Sequence, residues 1–154
     1  LEFGNLQNLE SYSQFNKKIK ENIVRSIIHQ IAITLKYLHN LGIIYRDLNP
    51  ENILVKTEND KLDTLSQIKL SDFGMSTITT LNESLNEDFK SLHFCSPEIL
   101  GKKDICTKVD IWSLGMITFN LLSNTFPFKL QSVRKNITKS ICFQEYSYKV
   151  KDSA

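Results

Sequence analysis

Asp47 and Asn52 stand five residues apart in YRDLNPEN, residues 45–52, and Asp72 follows in SDFG, residues 71–74. A carboxylate and an amide oxygen on one loop suit two tasks in phosphoryl transfer. One accepts the proton of an attacking hydroxyl, and the other ligates a divalent cation. Hard cations such as Mg2+ take oxygen ligands, and few of these come from protein. Asp72 brings a second carboxylate to the end of the apolar run IKL, and Gly74 is expected to let the backbone turn sharply after it. Phe73 is expected to bury itself beneath.

Two further clusters follow, SPEIL at residues 96–100 and DIWSLG at residues 110–115. Asp110 lies in an apolar helical stretch, where a carboxylate needs a satisfied partner. Each motif has a plain reading when taken alone. DFG is a turn, SPE is a helix start with Pro in its first turn, RDLNPEN is a Pro-containing turn and Asp110 is a helix cap. Chance is a poor explanation for all four in this order.

The elements that must position these groups are legible from periodicity. Ile19, Ile23, Ile27, Ile31, Leu35 and Leu38 recur every three or four positions and predict an amphipathic helix, ended by Asn40 and Gly42. Ile43–Ile44, Ile53–Val55 and Ile68–Leu70 are short apolar pieces between polar turns and read as strands. Residues 1–16 read as polar and irregular with a short apolar pattern at Leu6, Leu9 and Tyr12, 56–66 as a loop or hairpin, and 75–93 as a long loop of the kind that often carries function. VDIWSLGMITFNLL, residues 109–122, is apolar on almost every face and predicts a buried central helix, broken by NTFPF. Residues 129–154 are basic and weakly helical, their KLQSVRKNITKS segment reading as a solvated face.

The bulk numbers bound the rest. A chain of 154 residues is the size of one domain, with 41% apolar and 23% charged residues. A net charge of +2 gives no argument for nucleic acid or an anionic membrane. No apolar run is long enough for a transmembrane helix, and no signal peptide is seen. Cys95, Cys106 and Cys142 lack metal-type spacing and fit a reduced setting. The expectation is an intracellular, cytoplasmic protein with no nucleic-acid or membrane partner; the oligomeric state is not read from the sequence.

In this order, YRDLNPEN, SDFG, SPE and DIWSLG resemble the C-terminal lobe of a eukaryotic protein kinase of the serine/threonine type. The resemblance runs from LEFGNLQNLESY to NTFPF. It implies an α+β, mainly α-helical lobe with a few short strands and no N-terminal lobe. The domain assignment is 1–154 as a partial kinase domain, from the hinge to about the helix after NTFPF, truncated at both ends. Residue by residue, Asp47 would be the base and Asn52 and Asp72 would hold Mg2+ against the phosphates of ATP. Leu54 would lie under the adenine ring, and Glu2 and Phe3 would sit at the hinge. Tyr45 and Phe73 would stack within an apolar spine, and Asp110 would hold the loop backbone. Glu98 would fix the end of the activation segment, and Ser91 would stand in the substrate-side loop. Arg46 would meet a phosphate on that segment, with Ser76, Thr77, Thr79, Thr80 and Ser84 as candidate acceptors. The helices around YRDL and DIWSLG look most like those of calcium/calmodulin-type and related kinases.

Asn49 is a departure from the family pattern, which has Lys two residues after the base. Asn offers an N–H donor to the transferred phosphate but no charge, a loss worth roughly 10²–10³ in rate. Tyr45 for His, Phe94 for Tyr, Ser96 for Ala and Lys90 for Gly are milder changes. Residues 1–154 include no glycine-rich loop, strand Lys or helix Glu of the family pattern, and Arg134 comes too early to pair with Glu98. The expectation is therefore a kinase fragment whose full-length product transfers the γ-phosphate of ATP to a protein hydroxyl, while these 154 residues alone do not. The alternative is a pseudokinase or kinase-fold binding module, and a third reading is a fragment without function.

Overall fold

The computed structural model describes residues 6–16, 19–57, 65–78, 92–101 and 104–128. Ten short elements follow one another along them. They are β1 (Leu6–Asn8), α1 (Leu9–Phe15), α2 (Glu21–Asn40), β2 (Ile43–Ile44), a 3-10 turn (Pro50–Asn52), β3 (Ile53–Thr57), β4 (Leu65–Leu70), β5 (Thr77–Ile78), α3 (Pro97–Leu100) and α4 (Lys108–Ser123).

The chain opens with more order than its polar composition predicts. Asn8 ends β1 and caps α1, its Oδ1 accepting from Ser11 N at 2.8 Å. Leu9 and Tyr12, one turn apart, bury completely, and this anchors the short helix. In α2, Ile23, Ile27, Ile31, Leu35 and Leu38 all face the core, as the three-to-four spacing requires. Ile19 precedes the helix and packs against the same core. The helix stops at Asn40, and Gly42 takes the left-handed φ of 73°.

Two small sheets follow. β1, β3 and β4 form one antiparallel sheet in that spatial order, with Ile53 opposite Leu70 and Val55 opposite Ile68. Ile53 and Val55 point into the core, and Leu54 between them takes the other face, half-buried. The sheet is tied to α2 where Ile68 N–H donates to Gln30 Oε1 at 3.0 Å. Ile43 and Ile44 of β2 pair with Ile78 and Thr77 of β5. This second strand lies within residues 75–93, which read as loop because a two-residue partner from a distant segment leaves no local period.

α2 and α4 pack together over the main core, which Leu114, Met116, Ile117 and Leu121 close from the α4 side. A smaller cluster of Ile44, Cys95, Ile99 and Val109 lies beside it. α4 is apolar on almost every face, yet Ile111 and Leu122 stay 52% and 54% exposed. The expectation of a helix buried on every face therefore gives way to one with an open stripe. NTFPF does end it, Asn124 taking a left-handed φ of 53° and donating N–H to Asn120 O at 2.8 Å.

Ile27→Ala removes a fully buried side chain from the α2 face. The expected cost is about 2–5 kcal/mol, read as a lower urea midpoint at unchanged slope.

Candidate active site

The loop between β2 and β3 is organised from below by one carboxylate. Asp110, in the first turn of α4, is 0% exposed. Its Oδ2 accepts from Tyr45 N at 2.9 Å, and its Oδ1 accepts from Arg46 N at 2.8 Å. His39 Nε2, from the last turn of α2, lies 2.8 Å from Oδ2. Charge-assisted bonds of this kind are worth about 1.5–3 kcal/mol each. They hold Arg46 at φ 69°, a left-handed conformation that costs a non-glycine residue about 1–2 kcal/mol. That turn reverses the chain just ahead of Asp47, whose own N–H donates to Tyr45 O at 3.0 Å.

Asp47 is half-buried and held from two sides. Asn49 Nδ2 donates to its Oδ1 at 3.0 Å and to its backbone carbonyl at 3.0 Å. Asn52 Nδ2 donates to its Oδ2 at 2.9 Å and to the same carbonyl at 3.0 Å. Asn49 also caps the 3-10 turn, its Oδ1 accepting from Glu51 N at 3.0 Å and Asn52 N at 3.2 Å. Pro50 at the first position of that turn supplies the fixed φ the turn needs. The amide of Asn49 is thus occupied within the loop at 3% exposure.

Ser71 joins this loop to SDFG. Its N–H and Oγ both donate to Asn52 O, at 2.9 and 3.0 Å. Asp72 emerges one residue further, exposed, at a left-handed φ of 52°. Its Oδ1 accepts from Gly74 N at 3.1 Å, and a Cβ on Gly74 would meet that same oxygen at 3.1 Å. The sharp turn therefore sits at Asp72, and Gly74 is small because the carboxylate folds back over it. Asn52, with Nδ2 spent on Asp47, keeps Oδ1 on the other branch of its amide, and Asp72 is exposed. These are hard oxygen donors of the kind Mg2+ takes, and among the described residues no group of three His, Cys, Asp or Glu could grip a metal without such help.

Tyr45 is fully buried and donates its hydroxyl to Ser71 O. Burial, and then the carboxylates of Asp47, Asp72 and Asp110, push that phenol well above its usual range, so it stays a donor. Tyr45 meets Phe73 edge to face, ring centroids 5.1 Å apart at 84°. Phe73 itself is 47% exposed, so the expectation that it buries beneath the turn is not met; it lies against Tyr45 with its other side open. Arg46 is 4% exposed and donates Nε to Met75 O, directly after SDFG. Ser76 Oγ donates to Tyr45 O at 3.3 Å, and Thr77 is buried in β5. Leu54 occupies the sheet face away from the core.

Glu2, Phe3, Thr79, Thr80, Ser84, Lys90, Ser91 and Arg134 lie outside the described residues. Ser96 caps α3 for Ile99 N at 3.4 Å, and Glu98 is exposed on that helix. The segment before it is pinned to α4, since buried Ser113 Oγ donates to Phe94 O at 2.8 Å. Cys95, buried next to this contact, has its thiol pushed up to about 12 by burial and then by the Asp47 carboxylate. Brief alkylation of the folded chain with iodoacetamide at pH 8 is expected to label exposed Cys106 well before Cys95, read by peptide mass spectrometry.

Helices and a few short strands fit a kinase-like fold, and the family model described as the protein kinase domain matches residues 1–153. The chain belongs to the protein kinase domain family. It is 37% identical over 126 residues to the ribosomal protein S6 kinase alpha-6 of Danio rerio, covering 77% of this chain and 15% of that protein. Over 116 residues it is 38% identical to the ovarian-specific serine/threonine-protein kinase Lok of Drosophila melanogaster, covering 73% and 24%. Over 156 residues it is 30% identical to a calcium and calcium/calmodulin-dependent serine/threonine-protein kinase of Oryza sativa subsp. japonica, covering 99% and 28%. The chain thus spans 15% to 28% of the length of these relatives. Among the described residues, no helix is long and apolar enough to cross a membrane.

Proposed function

We propose that these residues are the C-terminal-lobe part of a serine/threonine protein kinase, and that the protein carrying them transfers the γ-phosphate of ATP to a protein hydroxyl. The observation that carries the reading is the Asp47 carboxylate, fixed between two amides on a loop that Ser71 ties to the Asp72 turn. In this role Asp47 accepts the proton of the attacking hydroxyl. Asn52 Oδ1 and the Asp72 carboxylate hold Mg2+, which when bound neutralises charge on the transferred phosphate. Leu54 offers an apolar surface to the adenine ring. Arg46 is bonded to Met75 O, and in this reading it pairs with a phosphate on the segment that follows SDFG. Kinship to kinases named for serine/threonine specificity, with Pro50 and Glu51 after the base, supports that acceptor class.

Phosphoamino-acid analysis tests this. The protein carrying this domain, given Mg2+ and ATP labelled at the γ-phosphate, is expected to leave label on Ser or Thr of a generic protein substrate. Label on tyrosine alone, or label undiminished by Asp72→Asn, would contradict the reading.

A further inference from the structure

Asn49 makes bonds in two directions that few side chains can combine. A carboxamide carries one acceptor oxygen and two N–H donors on a short stem. Here the oxygen accepts from Glu51 N and Asn52 N at 3.0 and 3.2 Å, and the nitrogen donates to Asp47 Oδ1 and Asp47 O at 3.0 Å each. Asn52 approaches the opposite oxygen, Asp47 Oδ2, at 2.9 Å. Each carboxylate oxygen therefore has an amide donor of its own, and the carboxylate plane cannot turn without losing one of them. Asn49 also holds the backbone N–H of Asn52, so it sets the frame from which the second donor reaches. At 3% exposure its amide lies inside the loop and is not presented to a substrate phosphate.

We propose that Asn49 is a positioning residue for Asp47, a single amide that caps the Pro50–Asn52 turn with its oxygen and fixes the orientation of the carboxylate with its nitrogen. The proposal rests on the reading of Asp47 as the base. It assigns Asn49 to the base and not to the transferred phosphate. Lys, with donors only, could reach Asp47 but could not cap the turn. Asp could cap it but would set a second negative charge beside the first.

The last substitution supplies the test. Asn49→Asp keeps the acceptor for Glu51 and Asn52, so the turn and the fold should persist. It replaces the N–H donor with a carboxylate oxygen close to Asp47 Oδ1. In the protein carrying this domain, the expected result is a kcat lowered about a hundredfold, the scale of a misplaced catalytic group. The KM for ATP and the unfolding midpoint should change little. An Asn49→Asp enzyme with wild-type kcat would overturn the proposal.

A second measurement needs no activity. The side-chain amide resonances of both Asn49 and Asn52 in the native chain are expected to shift on Asp47→Asn. An Asn49 amide that Asp47→Asn leaves in place would also overturn the proposal. Amides that shift together in a protein that transfers no phosphate would uphold the clamp while removing the kinase reading.

Discussion

Asp47→Asn is expected to lower phosphoryl transfer by about 10²–10⁴-fold, the usual contribution of a positioned general base. The substitution is nearly isosteric and removes the proposed proton acceptor without opening a cavity. Its cost to the fold should be small but not zero. Two amide N–H groups, from Asn49 and Asn52, now share the two carboxylate oxygens, and an Asn at 47 offers only one oxygen. One donor must then face another, at a cost of about 1–3 kcal/mol if it stays buried. Initial rates at saturating ATP, measured beside the unfolding midpoint, separate the two effects. A variant that loses structure and activity in proportion would mean that Asp47 matters for the loop and not for the chemistry.

Asp110→Ala is expected to have the largest effect on stability, about 3–5 kcal/mol, since it breaks a fully buried charge network by removing one partner. It strands the backbone N–H groups of Tyr45 and Arg46 and releases the His39 ring. Without those bonds nothing in the network compensates the left-handed backbone at Arg46, and the segment leading to Asp47 should relax toward a more extended path. The variant should therefore lose activity even under conditions where it remains folded. Asp110→Asn keeps one acceptor oxygen and should cost less. Chemical denaturation of both variants checks the order, and equal midpoints for wild type and Asp110→Ala would exclude Asp110 as the support of this loop.

Much of this site can be read in the sequence because its chemistry is local. Asp47, Asn49 and Asn52 lie within six residues, and Asp72 follows the strand that pairs with the one after Asn52. The long helix was legible because its one buried face repeats every three or four residues. What the sequence hid depends on partners far along the chain. β5 exists only by pairing with β2, and Phe73 stays half-exposed although its neighbours suggested burial. The open stripe of α4 is invisible to periodicity, since Ile111 and Leu122 look like core residues. Asn49 is a different case. Read against a family pattern it looked like a lost charge, but Asn followed by Pro and Glu is also an N-cap signature for a short turn. Asn8 ahead of α1 carried the same signal, and the short apolar pattern at Leu6, Leu9 and Tyr12 was too brief to specify a helix.

The most direct test of the account is the rate at which the protein carrying this domain transfers the γ-phosphate of ATP to serine or threonine, measured for wild type and for Asp47→Asn with matched folded fractions. Mg2+-dependent transfer by the wild type is expected, with a loss of at least about a hundredfold in the variant. Wild-type protein that binds ATP and Mg2+ but transfers no more than Asp47→Asn would contradict it, and would leave a kinase fold used for binding.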